Sequence, residues 1–293
     1  MSKPIRTYFD LTDPDRSQLG TQVGDQRERV KERLAPVRHV VAVMSGKGGV
    51  GKSFVTAALA TALARRGRTV GVLDADLHGP TAARMLGVHG GHLEVTATGV
   101  RPVESDDGVR VMSTDLILPE GAPLRWREPE HERFVWHGTL EAGMLREFLS
   151  DVDWGELDLL LVDLPPGTER LTALHELVPN LAGVLVVTIP SDASRRAVER
   201  AVETAIAEKV PVLGIVENMA GYRCPHCDEV SPLFEGNAAL AISSATGVPI
   251  MASIPFLPEG QAASEKGHQE GTGQLANEIR ELSDGLLDRL ETP

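Results

Sequence analysis

Two short stretches carry side chains whose types and spacing could do chemistry. The first, GKGGVGKS at residues 46–53, follows the apolar run VVAVMS and precedes the alanine- and leucine-rich run SFVTAALATALARRG. Gly46, Gly48, Gly49 and Gly51 leave backbone N–H groups free to converge on an anion, with Val50 set among them. A strand before, G-x-x-x-x-G-K-[ST] in the turn and a helix after is the pattern of a phosphate-binding loop, where the helix N-terminus adds partial positive charge. On that pattern Lys52 meets the β- and γ-phosphates of a nucleotide and the Ser53 hydroxyl ligates Mg²⁺. Lys47 is extra: the pattern requires one lysine, and a solvated side chain is the plain alternative. The second stretch, Cys224-Pro225-His226-Cys227, holds the only two cysteines of the chain, so no disulfide framework exists and the pair needs its own explanation. C-x-x-C is a redox dithiol when a helix follows and lowers the thiol pKa. Here DEVSPLFEG is a poor helix start. C-x-x-C is also half of a four-ligand zinc site.

Acidic candidates stand at the ends of apolar runs. Asp74 and Asp76 close VGVLDAD, and Asp163 closes LLLVD. Aspartates in such places cap helices or shape turns as often as they handle a metal, but beside a phosphate-binding loop the second role gains weight. Asn218 closes GIVENM in the same way.

The elements that must position these groups follow from periodicity. Short runs rich in Val, Ile and Leu occur at 39–45, 68–76, 109–114, 157–165, 183–190, 210–219 and 248–255, and helical patterns lie between them. The runs are continuously apolar rather than alternating, as strands covered on both faces should be. The expected fold class is therefore α/β, a doubly wound, mostly parallel sheet flanked by helices. Residues 1–37 read as a polar lead segment with a helical stretch around DQRERVKERLAP, and residues 38–293 as one nucleotide-binding domain carrying the C-P-x-C segment. Residues 90–104 and 118–136 read as surface excursions from the sheet. In the last helix Leu275, Ile279, Leu282, Leu286 and Leu290 share one side, while the polar face is largely acidic, which favours packing on the sheet over lipid.

Composition narrows the partners. A formal charge of −13 argues against nucleic acid and anionic membrane, both of which call for clustered Lys and Arg. No run approaches the ~20 apolar residues of a membrane span, and the first residues lack the apolar stretch of a signal peptide. The chain is read as cytoplasmic.

The position of Lys47 resembles the signature lysine of the deviant loop GKGGxGK[ST], shared by MinD, ParA, the nitrogenase iron protein and the Mrp group of dimerising ATPases. The resemblance implies a homodimer in which Lys47 reaches the partner's nucleotide. It also implies that Asp76 orients the attacking water, that Asp74 lies near the metal's water shell, that Asp163 holds Mg²⁺ through a water, and that Asn218 meets the adenine edge. In such a dimer two thiolates from each subunit make four soft ligands, the count of a [4Fe–4S] cluster, though zinc takes four as well.

VMSGKGGVGKS, VGVLDADLHGPT, WGELDLLLVDLPPGT, GIVENMAGYRCPHC and GVPIMASIPF, in that order over about residues 38–270, resemble the Mrp/ApbC family of iron–sulfur cluster carrier ATPases. That resemblance implies a chain that binds and hydrolyses ATP, holds a [4Fe–4S] cluster between two copies through Cys224 and Cys227, and passes it to apo iron–sulfur proteins. Three segments depart from the family. Phe54 stands where Thr is usual, Glu169 and Arg170 replace Gly-Asp after PPGT, and LFEGNAAL has fewer glycines. These bear on the rate of hydrolysis and its coupling to cluster release more than on the fold. Two alternatives remain: a MinD- or ParA-like positioning ATPase, and a nucleotide switch with structural zinc.

Overall fold

The computed structural model describes residues 19–77, 79–117, 143–224, 226–227, 229–257 and 275–291. His78, two residues after Asp76 in sequence, and the expected excursion at 118–136 lie outside the described residues.

Five strands build the centre of the sheet: β1 (Val37–Met44), β2 (Val70–Asp74), β7 (Leu157–Asp163), β8 (Gly183–Thr188) and β9 (Val212–Arg223). They run parallel in the spatial order β9, β8, β1, β7, β2. On one side the sheet continues through β6 (Arg110–Met112), parallel to β2, and ends at β5 (Val103–Glu104), antiparallel to β6. On the other side β11 (Ile250–Phe256) pairs parallel with β9, and β10 (Val230–Ser231) pairs antiparallel with its last residues. A two-residue hairpin of β3 (Glu94–Val95) and β4 (Val100–Arg101) stands apart. The 90–104 stretch thus contributes an edge strand and a hairpin, which two-residue strands are too short to announce by alternation.

Successive residues of a strand point to opposite faces, and this divides the core in two. Val40, Ala42 and Met44 of β1 join Leu160, Val162, Val184 and Val186 on one face. Helices α5 (Glu169–Leu177), α6 (Asp192–Ala207), α7 (Ala238–Thr246) and the helix at 143–151, α4, cover that face. Val41, Val43, Leu159, Leu161, Leu185 and Val187 face the opposite layer, under α2 (Lys52–Arg65), the short α3 (Ala82–Met85) and α8 (Ala276–Glu291). Leu282 and Leu286 of α8 are fully buried, and Leu290 packs at the edge. Each fully buried leucine is worth about 2 kcal/mol, so the apolar stripe of the last helix is spent on the sheet. The N-terminal helix α1 (Leu19–Leu34) begins earlier than its sequence suggests and sends Val30 into the first core.

Because β7 inserts between β1 and β2, three strand ends converge at one edge of the sheet. Asp74 and Asp163 stand in register on neighbouring strands, and the loop of residues 46–51 leaves β1 beside them.

Candidate functional site

The glycine loop closes on two left-handed residues, Gly49 (φ 78°) and Gly51 (φ 79°), a backbone that costs other residues strain. Gly51 is the N-cap of α2, and no side chain caps the helix there. Its first-turn N–H groups are therefore left to an anion rather than to the chain's own oxygens. Gly46 is required for a different reason: a Cβ there would lie 2.4 Å from the Ala197 backbone, so the loop is seated on α6.

Asp163 is the hub. It is completely buried, and its Oδ1 accepts the Lys52 ammonium at 2.6 Å and the Thr56 hydroxyl at 3.1 Å. Its Oδ2 accepts the Ser53 hydroxyl at 2.5 Å. Thr56, one helical turn beyond Lys52 and fully buried, escaped the sequence reading. Its signal was the i, i+4 spacing from Lys52, whose carbonyl it also bonds. The Asp163 carboxylate and the Ser53 hydroxyl are hard oxygen donors of the kind Mg²⁺ takes, and the uncapped helix start beside them suits the phosphates that accompany the ion, so the residues present fit it.

Asp74 is also completely buried. Its oxygens accept backbone N–H groups of Asp76, Thr81 and Ala82 at 3.0–3.2 Å and the Ser113 hydroxyl at 3.3 Å. Burial, reinforced by the Asp163 charge, pushes its pKa up to about 7, against the pull of those N–H groups and of Lys52. Asp76 is half-buried and holds the Gly79 N–H at 3.2 Å. Beside it opens a cavity of about 500 Å³ walled by Leu77, Pro165, Pro166, Glu169 and Arg170, so the Glu169-Arg170 departure lies next to Asp76.

Lys47 is half-buried, and its carbonyl accepts the Ser45 hydroxyl at 3.0 Å. No carboxylate pairs with its ammonium among the described residues. Asn218 is buried against the end of the loop: its Nδ2 donates to the Val50 carbonyl at 2.8 Å and fills the space a Gly51 side chain would need. Phe54 packs on the apolar layer under α2.

The cysteines lie beyond, where β9 has run on past Asn218 to Arg223. Cys224 is half-buried and Cys227 exposed. The Cys224 sulfur accepts the N–H groups of His226 and Cys227 and the Cys227 thiol, which hold its pKa below the ordinary thiol value. Two N–H groups aimed at one sulfur stabilise a thiolate, the form that binds metal. Among the described residues no third His, Cys, Asp or Glu joins them to complete a metal site.

Residues 36–290 match the family model of NUBPL iron-transfer P-loop NTPases. The chain belongs to this family. It is 38% identical over 258 residues to an iron–sulfur cluster carrier protein of Methanocaldococcus jannaschii, covering 87% of this chain and 84% of that one. It is 40% identical over 240 residues to the human cytosolic Fe–S cluster assembly factor NUBP2, covering 80% and 85%. A nucleotide-binding protein of Archaeoglobus fulgidus, solved in complex with ADP, superposes with a TM-score of 0.71 at 38% identity over 83% of this chain and 92% of that one. The cell-division ATPase MinD of Pyrococcus furiosus superposes at 0.57 and 21% identity over 86% and 99%, a likeness of fold alone. Membership therefore favours the carrier over the positioning ATPase and the zinc switch. No helix among the described residues is long and apolar enough to cross a membrane.

Proposed function

We propose that this family member is a cytoplasmic, ATP-hydrolysing iron–sulfur carrier whose residues 38–293 form one working unit, active as a homodimer. The observation that carries the proposal is the Cys224–Cys227 turn, with two N–H groups on one sulfur and half of a four-thiolate set, in a chain whose phosphate loop is complete. A second copy supplies the missing pair, and the cargo is a [4Fe–4S] cluster delivered to apo iron–sulfur proteins.

In the nucleotide site the loop from Gly46 to Gly51, including Gly48, Gly49 and Val50, offers backbone N–H groups to the phosphates, and Lys52 leaves Asp163 to neutralise the β- and γ-oxygens. Ser53 would ligate Mg²⁺ and Asp163 would hold it through a water, with Asp74 close by; the ion would supply positive charge against the phosphates. Asp76 orients the water that attacks the γ-phosphorus as the bond to the leaving ADP oxygen breaks. Lys47 of the second copy neutralises the charge that develops there, and Asn218 faces the adenine edge. Arrangement at the edge of the sheet supports these roles: Lys52, Ser53 and Asp163 are already in mutual contact, while Lys47 is held by none of them.

The test is transfer. Protein reconstituted with iron and sulfide under anaerobic conditions should restore activity to an apo-dehydratase that depends on a [4Fe–4S] cluster, and a Cys224→Ser variant should not. Equal restoration by the variant, or by free iron and sulfide alone, would discard the carrier function.

A further inference from the structure

One strand touches both the nucleotide loop and the cysteine turn, and it changes character halfway. In β9, Asn218 lies opposite Ile254 of β11 and Tyr222 opposite Phe256. Between those pairs β11 has one residue, whereas β9 has Met219, Ala220 and Gly221. The excess is a bulge, a device that re-aims a strand next to a site. Met219 sits in it with φ 55°, a left-handed backbone that a methionine adopts only when its surroundings impose it.

On the near side of the bulge everything belongs to the loop. Asn218 donates to Val50, and a Cβ on Gly51 would stand 2.2 Å from the Asn218 amide nitrogen and 3.7 Å from the Met219 methyl. On the far side the strand leads to the cysteines. A Cβ on Gly221 would meet Val230 of β10 at 2.5 Å, Tyr222 and Arg223 pair with β10, and the Cys224 N–H donates to the Glu229 carbonyl at 2.9 Å. The Arg223 guanidinium pairs with Glu278 of α8. The turn is thus fixed to the outer half of β9, and that half reaches the loop through Met219.

We infer that Met219 is a positioning residue whose strained bulge couples the two sites: filling the phosphate loop shifts Asn218, and the bulge passes the shift to the Cys224–Cys227 turn. Strain of this kind persists only while its surroundings hold it, so a shift of Asn218 acts directly on the backbone of Met219. A second route exists, since Gly46 is seated on Ala197 of α6 and Gly236 lies against Asp192 at the start of the same helix. That route ends beyond β10 and bypasses the bulge, so a change at Met219 separates the two.

The inference rests on nucleotide binding at the loop, and calorimetry with ADP measures that by itself. Hydrogen–deuterium exchange of peptides covering residues 219–231, in cluster-free protein with and without saturating ADP, then reads the turn. ADP is expected to change exchange there by about fivefold or more, the usual size of a coupling between sites. Met219→Gly, in which the left-handed backbone is free of strain, should bind ADP and lose that response. Asn218→Ala at saturating ADP should lose it as well, because the tie on the loop side is cut. ADP binding without any change at the turn in the parent protein, or the same change in Met219→Gly, would overturn the assignment, the latter in favour of α6. Absence of ADP binding would instead remove the nucleotide site and the coupling together.

Discussion

The phosphate loop and the cysteine turn are built by opposite means. The loop is secured from far away and from within: Lys52 is held by Asp163, 111 residues on, both side chains are buried, and Ser53 and Thr56 share the same carboxylate. The turn is secured locally and from outside the core, by N–H groups two and three residues along and one strand contact to Glu229, with Cys227 exposed. A loop organised in this way is preformed by buried contacts of its own chain. A turn organised in this way presents soft ligands to something outside the chain, which is what handing over a cargo requires.

The largest break in that contrast comes from the buried pair. Lys52→Ala leaves Asp163 buried and without its cation, so urea unfolding of the nucleotide-free variant should show a loss of about 3–5 kcal/mol. Its ATP affinity, followed by calorimetry, should fall by about a hundredfold or more, because the charge facing the β- and γ-phosphates is gone. Unchanged affinity would move the nucleotide elsewhere.

Asp74 gives a smaller effect with a definite sign. Its folded pKa of about 7 lies above the ordinary 3.8, so the folded chain holds the proton more tightly than the unfolded one. The group's contribution to stability therefore falls as pH rises from about 4 to about 7 and is flat above that. Comparing Asp74→Asn with the parent, the difference in unfolding free energy should move in the variant's favour by on the order of 2 kcal/mol between pH 5 and pH 8. A pH-independent difference would mean that the carboxylate stays ionised in its cage of N–H groups.

Lys47 lies at the other extreme. Its ammonium holds no partner among the described residues, so Lys47→Ala should leave stability within about 0.5 kcal/mol and ATP affinity nearly intact. Turnover per chain should fall, since the lysine is assigned to the charge that appears only during hydrolysis. A loss of affinity as large as that of Lys52→Ala would end the division of labour between the two lysines.

What the sequence revealed followed the reach of each interaction. The loop was legible because its glycines, Lys52 and Ser53 act within eight residues, and the stripe from Leu275 to Leu290 because helical period alone sets it. The fold class was legible because continuous apolar runs require cover on both faces. Thr56 was missed because its carboxylate partner lies on another strand. The run of β9 beyond Asn218 was missed because Met-Ala-Gly-Tyr has little strand character of its own and is held in the sheet by β10 and β11. Burial of Asp74 by α3 and Ser113 is likewise a product of assembly, and with it the raised pKa.

The central claim is that one chain carries half of a cluster site. Native mass spectrometry of anaerobically reconstituted protein tests it directly, with Cys227→Ser as the comparison. Two chains sharing one cluster of about four irons and four sulfides, and metal-free protein for the variant, are the expected masses. A single chain retaining the whole cluster, or a variant that still carries it, would contradict the claim.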